Sequence, residues 1–515
     1  MFLVPSKMKA LLDRCNGRFF FEIFFIFLIG GIVAHAVIPS SEMGGKWSKL
    51  FIIGIIGGAG LIVIPDREKF LLYSAAFLLP FNLTIHPFGF HTLSFYRPLN
   101  GFQIRVIDLP FALILLFWLV RLLWTKEKIR LHLWMTIPYL IIVVFCITSW
   151  IGRPIDPIMK AGSLFIILKN PIIFLYLANN LTERRTILFI VGILLLNGTL
   201  QALIAMAQYI NGGAIGLEIL GEVSVFSAEA GAASVTRVGG TIGHANKLAL
   251  FLAFLIEINI SVLFISASRR IKFLRFVPLT LMCGAIMLTY SRSAWGSLIL
   301  GGTINIYWCS SKKTQQKIMS AFLVIMIVGG VAAGAIGLVP SIRNRIFGDD
   351  RGSGLEIRYH LKVICKNIIR HNYWLGVGFN NYCSVIHKYD NSTMGASWHF
   401  PRPVHNEYML VAAELGVPAG IVFILLLTFI LILHVSIGLS EKDTVYPYLA
   451  IGFLCGWIGW LLHHRTLYEY SLLSHNIWFY LGIVQAMKNN LNRENLPSRE
   501  NSFFLPKNKL LSAAN

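Results

Sequence analysis

The run that opens Thr186-Ile187-Leu188-Phe189-Ile190-Val191-Gly192-Ile193-Leu194-Leu195-Leu196 continues to Ile210 without one Asp, Glu, Lys or Arg, and Arg184-Arg185 stands directly ahead of it. An α-helix rises 1.5 Å per residue, so a hydrocarbon layer roughly 30 Å thick needs about 20 apolar residues to be crossed. This run has 25 residues. Similar runs lie near 19–39, 50–64, 69–90, 104–124, 134–151, 163–180, 246–266, 273–290, 294–309, 318–339, 417–437, 445–463 and 471–487. Those at 50–64, 163–180 and 294–309 are short or interrupted by polar residues. The chain of 515 residues is 56% hydrophobic and only 13% charged, with mean hydropathy +0.67. Soluble proteins carry about 25% charged residues, so a disordered chain, a collagen, a coiled coil and a cytosolic enzyme are all excluded. The expected fold is an all-α polytopic integral membrane protein with about 12–14 transmembrane helices.

The basic residues orient those spans. Lys7, Lys9, Arg14 and Arg18 precede the first run; Arg67 and Lys69, then Arg121, Lys126, Lys128 and Arg130, then Arg184 and Arg185 follow in every second connection. Arg269, Arg270, Lys272 and Arg275, then Lys312, Lys313 and Lys317, then Lys442 and the tail after Lys488 continue the alternation. Short basic loops stay in the cytoplasm, so both termini are expected there. Residues 1–36 also have the outline of a signal peptide, with Ala34-His35-Ala36 resembling a cleavage site. Glu22 and the length of the stretch favour a retained helix. The chain divides into N-terminal helices (1–210), helices with a Gly-rich outer loop (211–339), a large outer loop with short helices (340–416), C-terminal helices (417–487) and a polar tail (488–515). Seven cysteines show no metal-ligand spacing, and a Cys365–Cys383 disulfide is not favoured.

The loop 340–416 carries nine Lys/Arg against six Asp/Glu, and a loop of this length escapes the positive-inside rule. Its charges need another reason. Leu355 to Arg370 reads as an amphipathic helix, with Leu361, Ile364, Cys365 and Ile368 on one face and Arg358, Lys362 and Lys366 on another. Two readings stand for it: a helix lying on anionic headgroups, and a support that points Arg358 at a phosphate, since a guanidinium offers a two-pronged fork to phosphate oxygens. Pro401-Arg402-Pro403-Val404-His405-Asn406-Glu407-Tyr408 reads as a helix start, which places His405 in the first turn. Tyr290-Ser291-Arg292-Ser293 stands at the outer junction of two spans, where Arg292 either snorkels to lipid or, given its serine neighbours, faces a cavity. Leu375-Gly376-Val377-Gly378 is a glycine turn without the strand–helix setting of a dinucleotide site.

Arg237…Gly240-Thr241…His244-Ala245-Asn246, then Tyr290-Ser291-Arg292, then Arg358, then Gly376-Val377-Gly378, then His405-Asn406-Glu407-Tyr408…Glu414-Leu415-Gly416 occur in the order of the O-antigen ligase/polymerase superfamily. The chain resembles that superfamily over about residues 190–440. Asn372-Tyr373-Trp374 departs from it where a proline is expected. The resemblance implies a metal-independent, inverting glycosyltransferase of the membrane-embedded GT-C type, using no cofactor, in the bacterial inner membrane. Its donor would be a glycan on undecaprenyl pyrophosphate, presented on the periplasmic side. Arg237, Arg292 and Arg358 would hold the pyrophosphate, and His405 would take the acceptor's proton or orient its hydroxyl. His244 and Asn246 would touch the sugar or cap the next span, capping being favoured for Asn246. Ser291, Asn406, Glu407 and Glu414 would support the site, the two acids orienting His405 or pairing with Arg402. A ligase transferring to lipid A–core is favoured over a polymerase or a protein O-oligosaccharyltransferase, and a lipid-linked glycan transporter is the rival outside the class. Its partners would be these lipid-linked glycans and membrane lipids, with no nucleic acid.

Overall fold

A computed structural model of the chain describes residues 57–86, 99, 101–310, 354–465 and 473–493, apart from a few positions inside these ranges. The expected spans at 19–39 and 318–339, most of that at 50–64, the possible leader at 1–36 and the tail beyond residue 493 lie outside the described residues.

Apolar runs have no water with which to satisfy their peptide groups, so each closes its hydrogen bonds internally as a helix. The helices are α1 (Arg67–Leu78), α2 (Asp108–Thr125), α3 (Leu133–Thr148), α4 (Pro157–Asn180), α5 (Arg184–Asn211), α6 (Ala245–Phe264), α7 (Arg269–Leu288) and α8 (Arg292–Ser310). After the undescribed stretch come α9 (Gly354–His371), α10 (Glu407–Leu415), α11 (Val417–Gly438), α12 (Tyr446–His463) and α13 (His475–Arg493). Among the described residues six helices, α2, α4, α5, α6, α7 and α11, are long and apolar enough to cross a membrane. The protein is an all-α polytopic membrane protein. Two small antiparallel ribbons interrupt it: β1 (Thr84–Ile85) with β2 (Ile104–Arg105), and β3 (Ser227–Ala230) with β4 (Ala233–Thr236).

One expected span is helical over only part of its length. The run at 69–90 gives only the twelve-residue α1. Pro80 cannot continue a helix, and the chain goes on from there as β1.

Helix α6 lies at the centre, packed against α12, α8 and α7, while α2 and α7 lie at the rim. The rim helices turn Leu116, Trp124, Phe273 and Leu274 outward, as lipid-facing helices do. Small residues bring the central helices together, as is usual inside bilayers. A Cβ on Gly452 of α12 would lie 2.7 Å from Ser261 Oγ and 2.9 Å from Ile258 Cα of α6. Between α6 and α8, Asn305 Nδ2 donates to Glu257 Oε2 at 2.9 Å and Ser261 Oγ donates to Asn305 Oδ1 at 2.8 Å.

The two ends of the bundle differ. At one, basic connections meet acids: Lys69–Glu183 at 3.0 Å, Arg121–Glu68 at 2.9 Å and Arg184–Asp443 at 3.1 Å. At the other, loops far apart in sequence interlock. Trp150 Nε1 donates to Phe379 O at 3.0 Å, and Asn380 Nδ2 donates to Leu99 O at 2.9 Å. Arg153 Nη2 donates to Gly376 O at 3.1 Å.

Candidate functional site

The interlocked end carries the residues singled out in the sequence. Arg237 leaves the β3–β4 ribbon and is held at two points: Nε donates to Thr289 O at 2.8 Å and Nη2 donates to Asn246 Oδ1 at 2.7 Å. One guanidinium therefore ties the Gly-rich loop to the start of α6 and to the α7–α8 turn. The cap of α6 is His244, whose Nδ1 accepts from Asn246 N at 3.1 Å. The expectation that Asn246 caps this helix is corrected, because its side-chain oxygen is taken by Arg237.

The α7–α8 turn is sharp because Tyr290 adopts φ 52°, a left-handed conformation that costs a residue with a Cβ about 1–2 kcal/mol. Burial of the Tyr290 ring, only 1% exposed, holds it there. Trp295 Nε1 donates to Ile286 O at 3.1 Å across the same turn. Helix α8 then begins at Arg292, whose side chain is exposed, while Ser291 is buried. A cation on the first residue of a helix opposes the positive end of the helix dipole. The arginine and the helix terminus together present positive charge at this turn.

In the large loop, α9 forms as the periodicity predicts, with Leu361, Ile364, Cys365 and Ile368 buried and Arg358, Lys362 and Lys366 exposed. It packs on α10. Asn406 caps α10, its Oδ1 accepting from Met409 N at 3.0 Å. His405 therefore stands one residue before the cap and not in the first turn, a correction that follows from the extended backbone Asn406 needs in order to cap. Burial, then the charges of Arg358 and Arg402, push the His405 imidazole down to about 4. The ring is thus neutral at ordinary pH, with two guanidinium groups acting on it. Arg402 is the member of this group that the sequence reading left outside its set of site residues. Its signal was the pair of prolines, 401 and 403, that stiffen the chain around it.

The two acids also engage neighbouring elements. Glu407 is fully buried, its Oε2 lying 3.8 Å from His464 Nε2, and the His464 ring lies 3.7 Å from that of Trp460. Glu414 Oε2 accepts from Asn380 N at 2.6 Å and Oε1 accepts from Tyr382 N at 2.8 Å. The glycines join in this clasp. Gly376 has φ +63° and Gly416 φ +92°, and a Cβ on either would overlap the other strand's backbone, at Glu414 and at Trp374. Val377 N donates to Ala413 O and Gly378 N to Glu414 O, both at 3.0 Å. The glycine turn is a backbone clasp on the end of α10. Asn372, standing where a proline is expected, donates to Tyr389 Oη at 2.9 Å and accepts from Arg153 Nη2 at 3.2 Å. Cys365 and Cys383 are both buried, and no disulfide joins them.

This arrangement can hold an anion beside a neutral imidazole: arginines supply forked donors, and a backbone clasp fixes the loop that carries His405. Residues 277–424 match the family model described as "O-Antigen ligase". That range takes in Arg292, Arg358 and His405, while Arg237, His244 and Asn246 lie ahead of it. No curated protein matches the chain. A solved structure described as "Structural coordination of polymerization and crosslinking by a peptidoglycan synthase complex" is similar over 70% of this chain and 97% of that one, at 14% identity and a TM-score of 0.37. A likeness that loose carries no argument. The motif order and the family match agree: residues 277–424 are similar to the O-antigen ligase family.

Proposed function

We propose that this protein moves a glycan from undecaprenyl pyrophosphate to an acceptor hydroxyl at the periplasmic face of the bacterial inner membrane, as an O-antigen ligase whose acceptor is lipid A–core. The observation that carries this reading is the half-buried, neutral His405 with Arg358 and Arg402 acting on it. A neutral imidazole accepts a proton, and guanidinium groups beside it receive the charge of a departing pyrophosphate.

In the proposed step the acceptor oxygen attacks the anomeric carbon and the bond from that carbon to the phosphate oxygen breaks, with inversion. The hydroxyl proton passes to His405. The electron pair leaves with undecaprenyl pyrophosphate, whose developing charge is met by Arg358, Arg292 and Arg237. Preorganised donors aimed at developing charge are among the strongest catalytic devices. They do here what a divalent cation does in many sugar transferases, so transfer by isolated membranes is expected to survive EDTA. Charge alternation supports the sidedness, since Lys69, Arg121 and Arg184 gather at the end opposite the site.

A surface-polysaccharide gel from the host strain tests the reading, comparing the intact gene, a deletion and His405→Ala. Loss of a general base costs about 10²–10⁴-fold in rate, so the lipid-A-linked ladder should vanish in both mutants while long lipid-linked chains accumulate. If single-repeat caps remain on the core, the protein is a polymerase. A ladder fully restored by His405→Ala overturns the assignment of the base and moves a transporter to the front.

A further inference from the structure

Helix α5 carries polar side chains to which the proposed transfer step gives no role. Gln201 and Gln208 stand seven residues apart, and so on one face of the helix. Both are almost wholly buried, at 1% and 2% exposure, although α5 is apolar enough to cross a membrane. Amides buried in a span are costly unless they find partners. The partners of both lie in the turn Gly239-Gly240-Thr241, which begins two residues after Arg237.

Gln208 Oε1 accepts from Gly240 N at 2.9 Å and from Gly239 N at 3.3 Å, and Gln208 Nε2 donates to Gly240 O at 3.3 Å. Gln201 Oε1 accepts from Thr241 N at 3.0 Å, and its Nε2 donates to Thr241 Oγ1 at 2.6 Å. Two side-chain amides thus meet three consecutive backbone N–H groups, as a neighbouring strand would. Gly240 has φ +58°, and a Cβ there would overlap Gln201 Oε1, so the glycine is what lets that amide approach. Glu222 anchors Gln208 in turn. Its Oε1 accepts from Gln208 Nε2 at 2.5 Å and from Ile215 N at 3.0 Å, and its Oε2 accepts from Leu217 N at 2.5 Å.

These bonds decide what the glycines do. Successive N–H groups in a glycine-rich turn suit an anion, but here they are directed at glutamines. The turn is therefore a support, and the cationic group beside it is Arg237. Helix geometry adds a reason for the arrangement. Gln201 stands ten residues before the end of α5, about 15 Å along the axis, so the turn runs down beside the helix. Non-helical backbone at membrane depth persists only where protein satisfies its polar groups, and the glutamines do so.

We propose that Gln201, Gln208 and Glu222 are positioning residues for the transfer reaction. They set the backbone from which Arg237 reaches Thr289 O and Asn246 Oδ1, and through Arg237 they set the binding of the donor. The proposal rests on the transferase reading, in which Arg237 contacts the donor's pyrophosphate.

Steady-state transfer by the full chain in nanodiscs tests it, with donor and acceptor varied separately. In Gln208→Met and in Gln201→Met the donor KM should rise about tenfold, the effect of one lost hydrogen bond. The acceptor KM and the acid limb assigned to His405 should keep their parental values. A variant that merely folds poorly lowers the amount of active enzyme, and so the apparent kcat, without moving either KM. Where Gln208→Met fails to fold, Gln201→Met, which leaves the Gln208–Glu222 pair intact, decides the matter. Gln208→Glu sets a second carboxylate against Glu222 and should raise the donor KM further; adding Glu222→Gln restores an amide facing a carboxylate and should recover most of that loss. Amide hydrogen exchange over 239–241, read without substrate, should quicken about tenfold in both methionine variants. A parental donor KM in both, a parallel rise of both KM values, or a double variant no better than Gln208→Glu alone overturns the proposal. Faster exchange with unchanged kinetics also overturns it, since the bonds then hold the fold and not the site. A parent that transfers no glycan defeats the transferase reading itself, an outcome distinct from a parent that transfers while every variant matches it.

Discussion

His405 carries two opposing influences, and they make a specific pH profile. Burial and the Arg358 and Arg402 charges lower its proton affinity to about 4 in the free protein, so the ring is neutral above that, as the proposed base has to be. The acid limb of kcat/KM, which reports the free enzyme, is expected near pH 4 and not near the ordinary imidazole value of about 6.5. A bound pyrophosphate offsets both guanidinium charges and raises the affinity, so the limb of kcat should lie at higher pH than that of kcat/KM. Arg402→Gln should move the kcat/KM limb upward, because it removes a neighbouring positive charge. Coincident limbs in the parent, or no shift in Arg402→Gln, would count against this geometry. Arg237 makes a different case at the same scale. Its Nε and Nη2 bridge Thr289 O and Asn246 Oδ1, so Arg237→Lys, which keeps the charge but cannot make this bridge, should lose transfer nearly as fully as Arg237→Ala. Rescue by lysine would show that charge alone matters there.

The loop bearing His405 is a rigid element, and the clasp beneath it explains why. Glu414 takes two backbone amides with one carboxylate, one of them from Asn380 in a left-handed conformation at φ 60°. Glu414→Gln keeps the shape but loses one acceptor, and the buried amide left behind costs about 1–3 kcal/mol. Gly376→Ala should cost more, since a Cβ there meets the Glu414 backbone at a positive φ. Both variants should show a lower Tm in detergent, with transfer falling in parallel; an unchanged Tm in Gly376→Ala would refute the clasp. Which parts of this were readable in advance follows from range. Bilayer-length runs such as 186–210 and the amphipathic stretch 355–370 declare themselves locally, because burial and periodicity are properties of consecutive residues. The run at 69–90 stays largely apolar past Pro80, so hydropathy reads one long helix where the helix ends at Leu78. The roles of Glu414, Asn246 and Arg402 depend on partners brought in by the fold, and no window of sequence contains them.

At the scale of the molecule, the two ends follow different rules. One is stitched by ion pairs between short connections, the other by hydrogen bonds among long loops. If the charge alternation sets the orientation, Ser392→Cys should react with a membrane-impermeant maleimide in cells with a permeable outer membrane, and Lys272→Cys only after the inner membrane is opened. The reverse pattern would put the arginine–histidine group in the cytoplasm and remove the proposed donor. The long-range bonds have a further consequence, concerning time and not position. Leu99 waits for Asn380, 281 residues later, and Arg105 for His475, 370 residues later. Helices enter the membrane roughly in the order of synthesis. For most of its manufacture, then, the chain is an inserted bundle whose outer end cannot close, and Arg105 has no imidazole to steady it until α13 arrives. The nascent protein is inert by construction, and a ribosome stalled before that last described helix would leave behind a membrane protein but not an enzyme.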